Sequence, residues 1–173
     1  MSEATTVEQD VTNELWRLIR DSHYSVDEDG EIEISLDCFD LRKEMTPPET
    51  NISFNKVDSS LGYYEKIFNL MRDLFLKIRI KDKHLFAGLF DKDAYKRINK
   101  GDQPFIKFIQ DQEPPSNHFG LYYLTEDEVE LTKIKGILKI LLEEKLTSII
   151  RDDEKLRTFN NELCTQRKRV PNR

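Results

Sequence analysis

Between residues 61 and 90 the apolar side chains Leu61, Tyr64, Ile67, Phe68, Met71, Leu74, Phe75 and Ile78 recur at steps of three and four. That spacing places them on one face of a helix and predicts one long amphipathic helix through most of the run. A second run over residues 125–150 repeats the pattern with Ile134, Ile137, Leu138, Leu141 and Leu142. The expected fold is therefore mainly α: a helical bundle with two long amphipathic helices and a short extended segment near residues 31–37.

The remaining elements follow from local signals. A first helix is expected over residues 7–23, where Val11, Leu15, Leu18 and Ile19 share a face with Trp16 beside it. The turn Asp27-Glu-Asp-Gly30 precedes Glu31-Ile-Glu-Ile-Ser-Leu-Asp37, whose alternation of polar and apolar residues predicts a short strand. Pro47 and Pro48 make residues 45–51 a linker. Asp58, Ser59 and Ser60 are candidate caps for the long helix, and a kink is expected near residues 82–88, where its stripe weakens. Short helices are expected at residues 94–99 and from Pro104 through Ile109, then a loop at 113–120. Thr125-Glu-Asp-Glu128 reads as a capping box. Apolar density falls after Ile150, which divides the chain into one helical domain over 1–150 and a charged C-terminal tail over 151–173.

Of 173 residues, 38% are apolar, enough for a modest core, and 35% are charged, above the usual share of about 25%. Cys38 and Cys164 lie far apart with no metal-ligand spacing, which suits a reduced setting. No apolar run approaches the roughly 18 residues of a membrane span, and Met1 to Thr6 lacks signal-peptide character. The expected location is intracellular: nuclear if the source is eukaryotic, otherwise cytoplasmic. The net charge of -6 conceals segregation: residues 1–50 hold fourteen acidic and four basic residues, residues 56–107 seven acidic and twelve basic. Such asymmetry can steer a partner or match charges within the molecule.

No constellation points to catalysis. Asp27, Asp29, Gly30 and Ile32 fall where a calcium-binding loop places its third, fifth, sixth and eighth positions, but Ser25 and Leu36 occupy the first and twelfth, leaving the coordination shell short. His23, His84 and His118 have no second ligand at helical spacing, and no phosphate-cradling or nucleophile motif occurs. No metal, cofactor or small-molecule substrate is expected. Lys77, Arg79, Lys81 and Lys83 form a candidate basic strip for an acidic partner or nucleic acid, and Arg167, Lys168 and Arg169 a candidate second contact or nuclear-import signal.

Three segments carry a family likeness: Glu14-Leu-Trp-Arg-Leu-Ile-Arg20 leading to the acidic loop, Leu76-Lys-Ile-Arg-Ile80 before Ala87-Gly-Leu-Phe90, and Leu124-Thr-Glu-Asp-Glu128 opening a helix. Their order over about residues 10–150 resembles the GINS replication-complex subunits whose helical domain comes first. The extended segment and linker between Glu31 and Asn55 depart from that pattern, as does the lack of a β-domain signal after Ile150. The resemblance implies a helical domain and a role in DNA replication, as a scaffold joining the replicative helicase.

The functional expectation is a non-catalytic structural subunit of a protein assembly, with Tyr64, Phe68, Met71, Phe75 and Ile78 facing partner helices. Two alternatives stand beside it: a small regulator or inhibitor binding one target through its acidic N-terminal region, and a nucleic-acid-binding module using the basic middle segment.

Overall fold

The segment Glu-Leu-Trp-Arg-Leu-Ile cannot be both a one-faced helix and a two-faced strand, and the structure decides for the strand. A computed structural model describes residues 11–110 and 117–169, without the side chains of Lys168 and Arg169. Residues 7–10 of the expected first helix, part of the expected 113–120 loop and the last residues of the expected tail lie outside that description.

Among the described residues there are seven strands: β1 (Glu14–Ile19), β2 (Tyr24–Val26), β3 (Ile32–Ile34), β4 (Ile52–Val57), β5 (Leu85–Phe90), β6 (Ile106–Gln110) and β7 (His118–Tyr123). Four helices accompany them: α1 (Tyr63–Phe75), α2 (Asp91–Ile98), α3 (Glu128–Glu143) and α4 (Glu154–Arg169). The expected helical bundle is thus corrected to a mixed α/β fold, built on a five-stranded antiparallel sheet of order β5-β1-β4-β7-β6. Strands β2 and β3 form a hairpin across the acidic turn, of which only the extended segment after the turn was expected; Asp27 accepts from the amides of Asp29 and Glu31, and Gly30 takes the left-handed φ of 85°.

Helices cover both sides of the sheet, which explains the correction. On one side Leu15 and Ile19 of β1 join Phe54, Leu85, Leu121, Ile134 and Leu138 in a core closed by α2, α3 and the hairpin. On the other, Trp16 packs with Phe86, Ile67, Met71 and Leu156, and α1 and α4 form the outer layer. A strand buried on both sides is apolar at nearly every position, so spacing alone does not distinguish it from a helix.

The long helix expected over residues 61–90 is two elements. Helix α1 stops at Phe75, Leu76 is 85% exposed, and Leu85 to Leu89 are buried as a strand. Gly88 is required there, because a Cβ would stand 2.6 Å from Trp16 Cε2 across the β1–β5 ladder. The outer edge of β5 is closed by the main chain after α3: Gly88 N donates to Lys145 O and Thr147 N to Phe86 O, each at 2.8 Å. At the opposite end of the sheet, β6 replaces the helix expected from Pro104. Its edge is covered by side chains, with Asn99 Oδ1 accepting from Phe105 N and Ile106 N, and Tyr95 OH accepting from Phe108 N.

The caps also shift. Helix α1 begins after Gly62 with no side-chain cap, while Asp58 accepts from the amide and hydroxyl of Ser60 in its own turn. Asp127, not Thr125, caps α3 by accepting from Glu130 N, because Thr125 Oγ1 is used one turn earlier by Asp127 N. Residues 154–169, expected in a charged tail, form α4, which buries Leu156 and Leu163 against the α1 side of the core.

Candidate functional site

The β1–β4 ladder is short. It pairs Glu14 with Val57, Leu15 with Lys56 and Trp16 with Asn55, then ends, although β1 stays paired with β5 to Ile19 and β4 with β7 to Ile52. The two strands therefore part from Arg17 onward. A strand main chain that loses its neighbour needs other partners, and Arg17 supplies them: Nη1 donates to Ser53 O on β4 and Nη2 to Cys38 O, both at 3.0 Å. Its Nε is buried without a hydrogen-bond partner.

A cavity of about 490 Å³ lies at this fork. Arg17 and Arg20 enter it from β1 and the residue after it, and His23 from the single 3₁₀ turn Asp21–His23. The 3₁₀ turn Leu36–Phe39 contributes Asp37, and the connection to β4 contributes Asp40, Arg42 and Glu49. Lys77, just past α1, adds a further charge to the lining, and His118 of β7 borders it as well.

These charges are not balanced. Arg42 and Glu49 neutralise each other through a two-pronged ion pair, with Nε donating to Oε1 at 2.8 Å, and this hydrogen bonding holds the Glu49 carboxyl below the usual range. Asp40 pairs outside the cleft with Lys135 at 2.5 Å. Arg20 and Lys77 are exposed and have no carboxylate partner among the described residues, and Arg17 bonds only to neutral carbonyls. Asp37 is the one lining carboxylate left to oppose them. Burial pushes His23 below the ordinary imidazole value; Asp37 opposes this, and Arg17, Arg20 and Arg42 reinforce it. His23 is therefore neutral at pH 7, and its Nδ1 is buried with no partner.

A second charge cluster sits three residues away on β1, and there the carboxylate has its counter-ions at bonding distance. Glu14, 1% exposed, accepts from Trp16 Nε1 at 2.9 Å, Lys66 Nζ at 3.0 Å and Lys145 Nζ at 2.7 Å. Burial pushes its carboxyl up, but the hydrogen bonds from Lys145, Trp16 and Lys66 outweigh it and leave the group below the usual range.

The residues singled out in the sequence are dispersed. Met71 and Phe75 are buried in the second core, and Tyr64, Phe68 and Ile78 are half-buried against it. Their stripe is covered by this chain's own α4: Phe68 stacks on Phe159 at 4.3 Å, and Tyr64 OH donates to Asp153 at 3.1 Å. Lys77, Arg79, Lys81 and Lys83 are all exposed in the irregular connection between α1 and β5, and only Lys77 lines the cleft. Arg17, Arg20, His23 and Arg42 were missed as site residues. The available signal was Arg17 itself, a cation inside an otherwise apolar run.

Among the described residues, no three His, Cys, Asp or Glu side chains are placed to hold a metal ion, and no helix is long and apolar enough to cross a membrane. No family model, curated protein or solved structure matches this chain significantly.

Proposed function

We propose that the protein is a non-catalytic binding module that engages an anionic group of a partner through the fork between β1 and β4. The observation that carries this reading is the surplus of positive charge there: Arg17, Arg20 and Lys77 converge on one cavity with Asp37 as their counter-charge. A protein that neutralises buried Glu14 with two lysines of its own, yet leaves these cations unpaired, is arranged to take their counter-ion from outside. Cys38 is the one thiol lining the cavity; burial raises its pKa, which keeps it protonated and weakly nucleophilic. Two free cysteines, one buried and one half-buried, suit an intracellular setting.

The test is an amide-resonance titration of the full chain with sodium sulfate at constant ionic strength. Saturable shifts confined to the residues around the fork are expected. Shifts that are uniform, or absent, would remove the reading.

A second reading, as a structural subunit of a protein assembly, is favoured by one feature. Tyr63, Tyr64, Phe68 and Phe159 form a row of rings with centroids 5.1, 5.9 and 4.3 Å apart, and Tyr63 is 43% exposed. Aromatic rows on a surface suit protein contacts. Replacing Tyr63 with Ser should then release co-purifying proteins without changing sulfate binding.

A further inference from the structure

The balance of charge and the size of the cleft together narrow the ligand. Three cations without carboxylate partners, opposed by Asp37, leave a surplus of about two positive charges. A carboxylate brings one negative charge, whereas a phosphomonoester brings about 1.5 to 2 at neutral pH, with three acceptor oxygens. The cations also come from different elements, Arg17 and Arg20 from the β1 side and Lys77 from the end of α1, and all three line the one cavity. Arg17 is pre-set, because its guanidinium is held by the carbonyls of Ser53 and Cys38 before any ligand arrives. His23, neutral, lines the same cavity without adding charge. The cavity, about 490 Å³, falls in the range of roughly 300–1,000 Å³ typical of sites that enclose a whole small ligand, well beyond one phosphoryl group.

Resting on the anion-binding reading above, we infer that the fork is a recognition site for a phosphomonoester together with part of its carrier. The same chemistry has two sources, a small phosphorylated molecule or a phosphorylated side chain of a protein, and the experiment distinguishes them. Calorimetric titrations of the full chain would use inorganic phosphate, adenosine monophosphate, a phosphoserine peptide, the same peptide with glutamate in place of phosphoserine, and sodium acetate, all at one ionic strength. Each titration is repeated on Arg20→Ala/Lys77→Ala, whose replaced side chains are exposed and whose fold is checked by its unfolding midpoint.

Binding of phosphate and of at least one phosphorylated probe is expected, with no binding of acetate and a loss of about tenfold or more in the double variant. Tighter binding of the nucleotide assigns the small-molecule source; tighter binding of the phosphopeptide assigns the protein source. If the glutamate peptide binds as well as its phosphorylated counterpart, the phosphomonoester inference is wrong while anion binding stands. If no anion binds, or the double variant binds undiminished, both fall.

Discussion

Strand β1 carries two charge clusters, and they are treated in opposite ways. At Glu14, where β1 is paired on both sides, a buried carboxylate is enclosed by Trp16, Lys66 and Lys145, and its charge is cancelled within the chain. At Arg17, where β4 has moved away, a guanidinium donates to one carbonyl of β4 and one of the turn Leu36–Phe39 and is joined by Arg20 and Lys77, with positive charge left over. One strand thus holds charges in two settings: the first has its counter-ions at bonding distance, the second lines a cavity and bonds only to carbonyls.

The largest expected effect comes from opening the closed cluster. Glu14→Gln leaves two lysines around a neutral amide and should lower stability by about 3 kcal/mol, read as a fall in the urea midpoint, because breaking a buried pair strands its partners. An unchanged midpoint would put Glu14 in the same class as the cleft residues. Gly88→Ala attacks the same end through packing. A Cβ 2.6 Å from the Trp16 ring forces the indole off its place over Glu14 and should cost about 2 kcal/mol. At the fork, Arg17→Met removes two hydrogen bonds to carbonyls and should cost about 1 kcal/mol while abolishing anion binding, so stability and binding respond in inverse proportion at the two ends.

The clusters also differ in pH response. Glu14 is held below its ordinary value of 4.5 when folded, so its stabilisation is complete above that pH and is lost as pH falls through the lower folded value. His23 is held below 6.5, so unfolding takes up a proton and stability begins to fall already as pH drops below 6.5. A pH series of unfolding midpoints should show both declines, the acid one reduced in Glu14→Gln, with Glu49 still contributing, and the milder one reduced in His23→Gln, with His84, also held below 6.5 by burial, still contributing. The smallest stability effect belongs to Arg20→Ala/Lys77→Ala, expected within about 0.5 kcal/mol of the parent, since both side chains are exposed.

The sequence was most legible where one face of an element meets solvent. Helix α3 keeps a polar side, so Ile134, Leu138, Leu141 and Leu142 stood out by their spacing, and the turn at Gly30 with the extended segment of β3 was visible through alternation, though not the pairing with β2. It misled where both faces are buried. Leu15, Trp16, Leu18 and Ile19 serve two cores at once, and their run is as consistent with 3.6 residues per turn as with two. The same ambiguity joined α1 to β5. Part of the candidate site was hidden for a related reason: Arg17, Arg42 and Lys77 are far apart in the chain, and only the parting of β1 and β4 brings them to one cavity. Lys77 alone was flagged, as one of a charge run.

The pairing of β1 also sets a timetable. During synthesis β1 emerges before every element it will touch: Lys66 lies 52 residues further along, β5 follows it, and Lys145 is made only after α3 is complete. With elongation at about 5–20 residues per second, Glu14 and Trp16 wait for seconds in a nascent chain that can neither cancel the one nor cover the other. Among the described residues the strand made first is therefore among the last to become native, and a chaperone that shields residues 14–19 would act on that step.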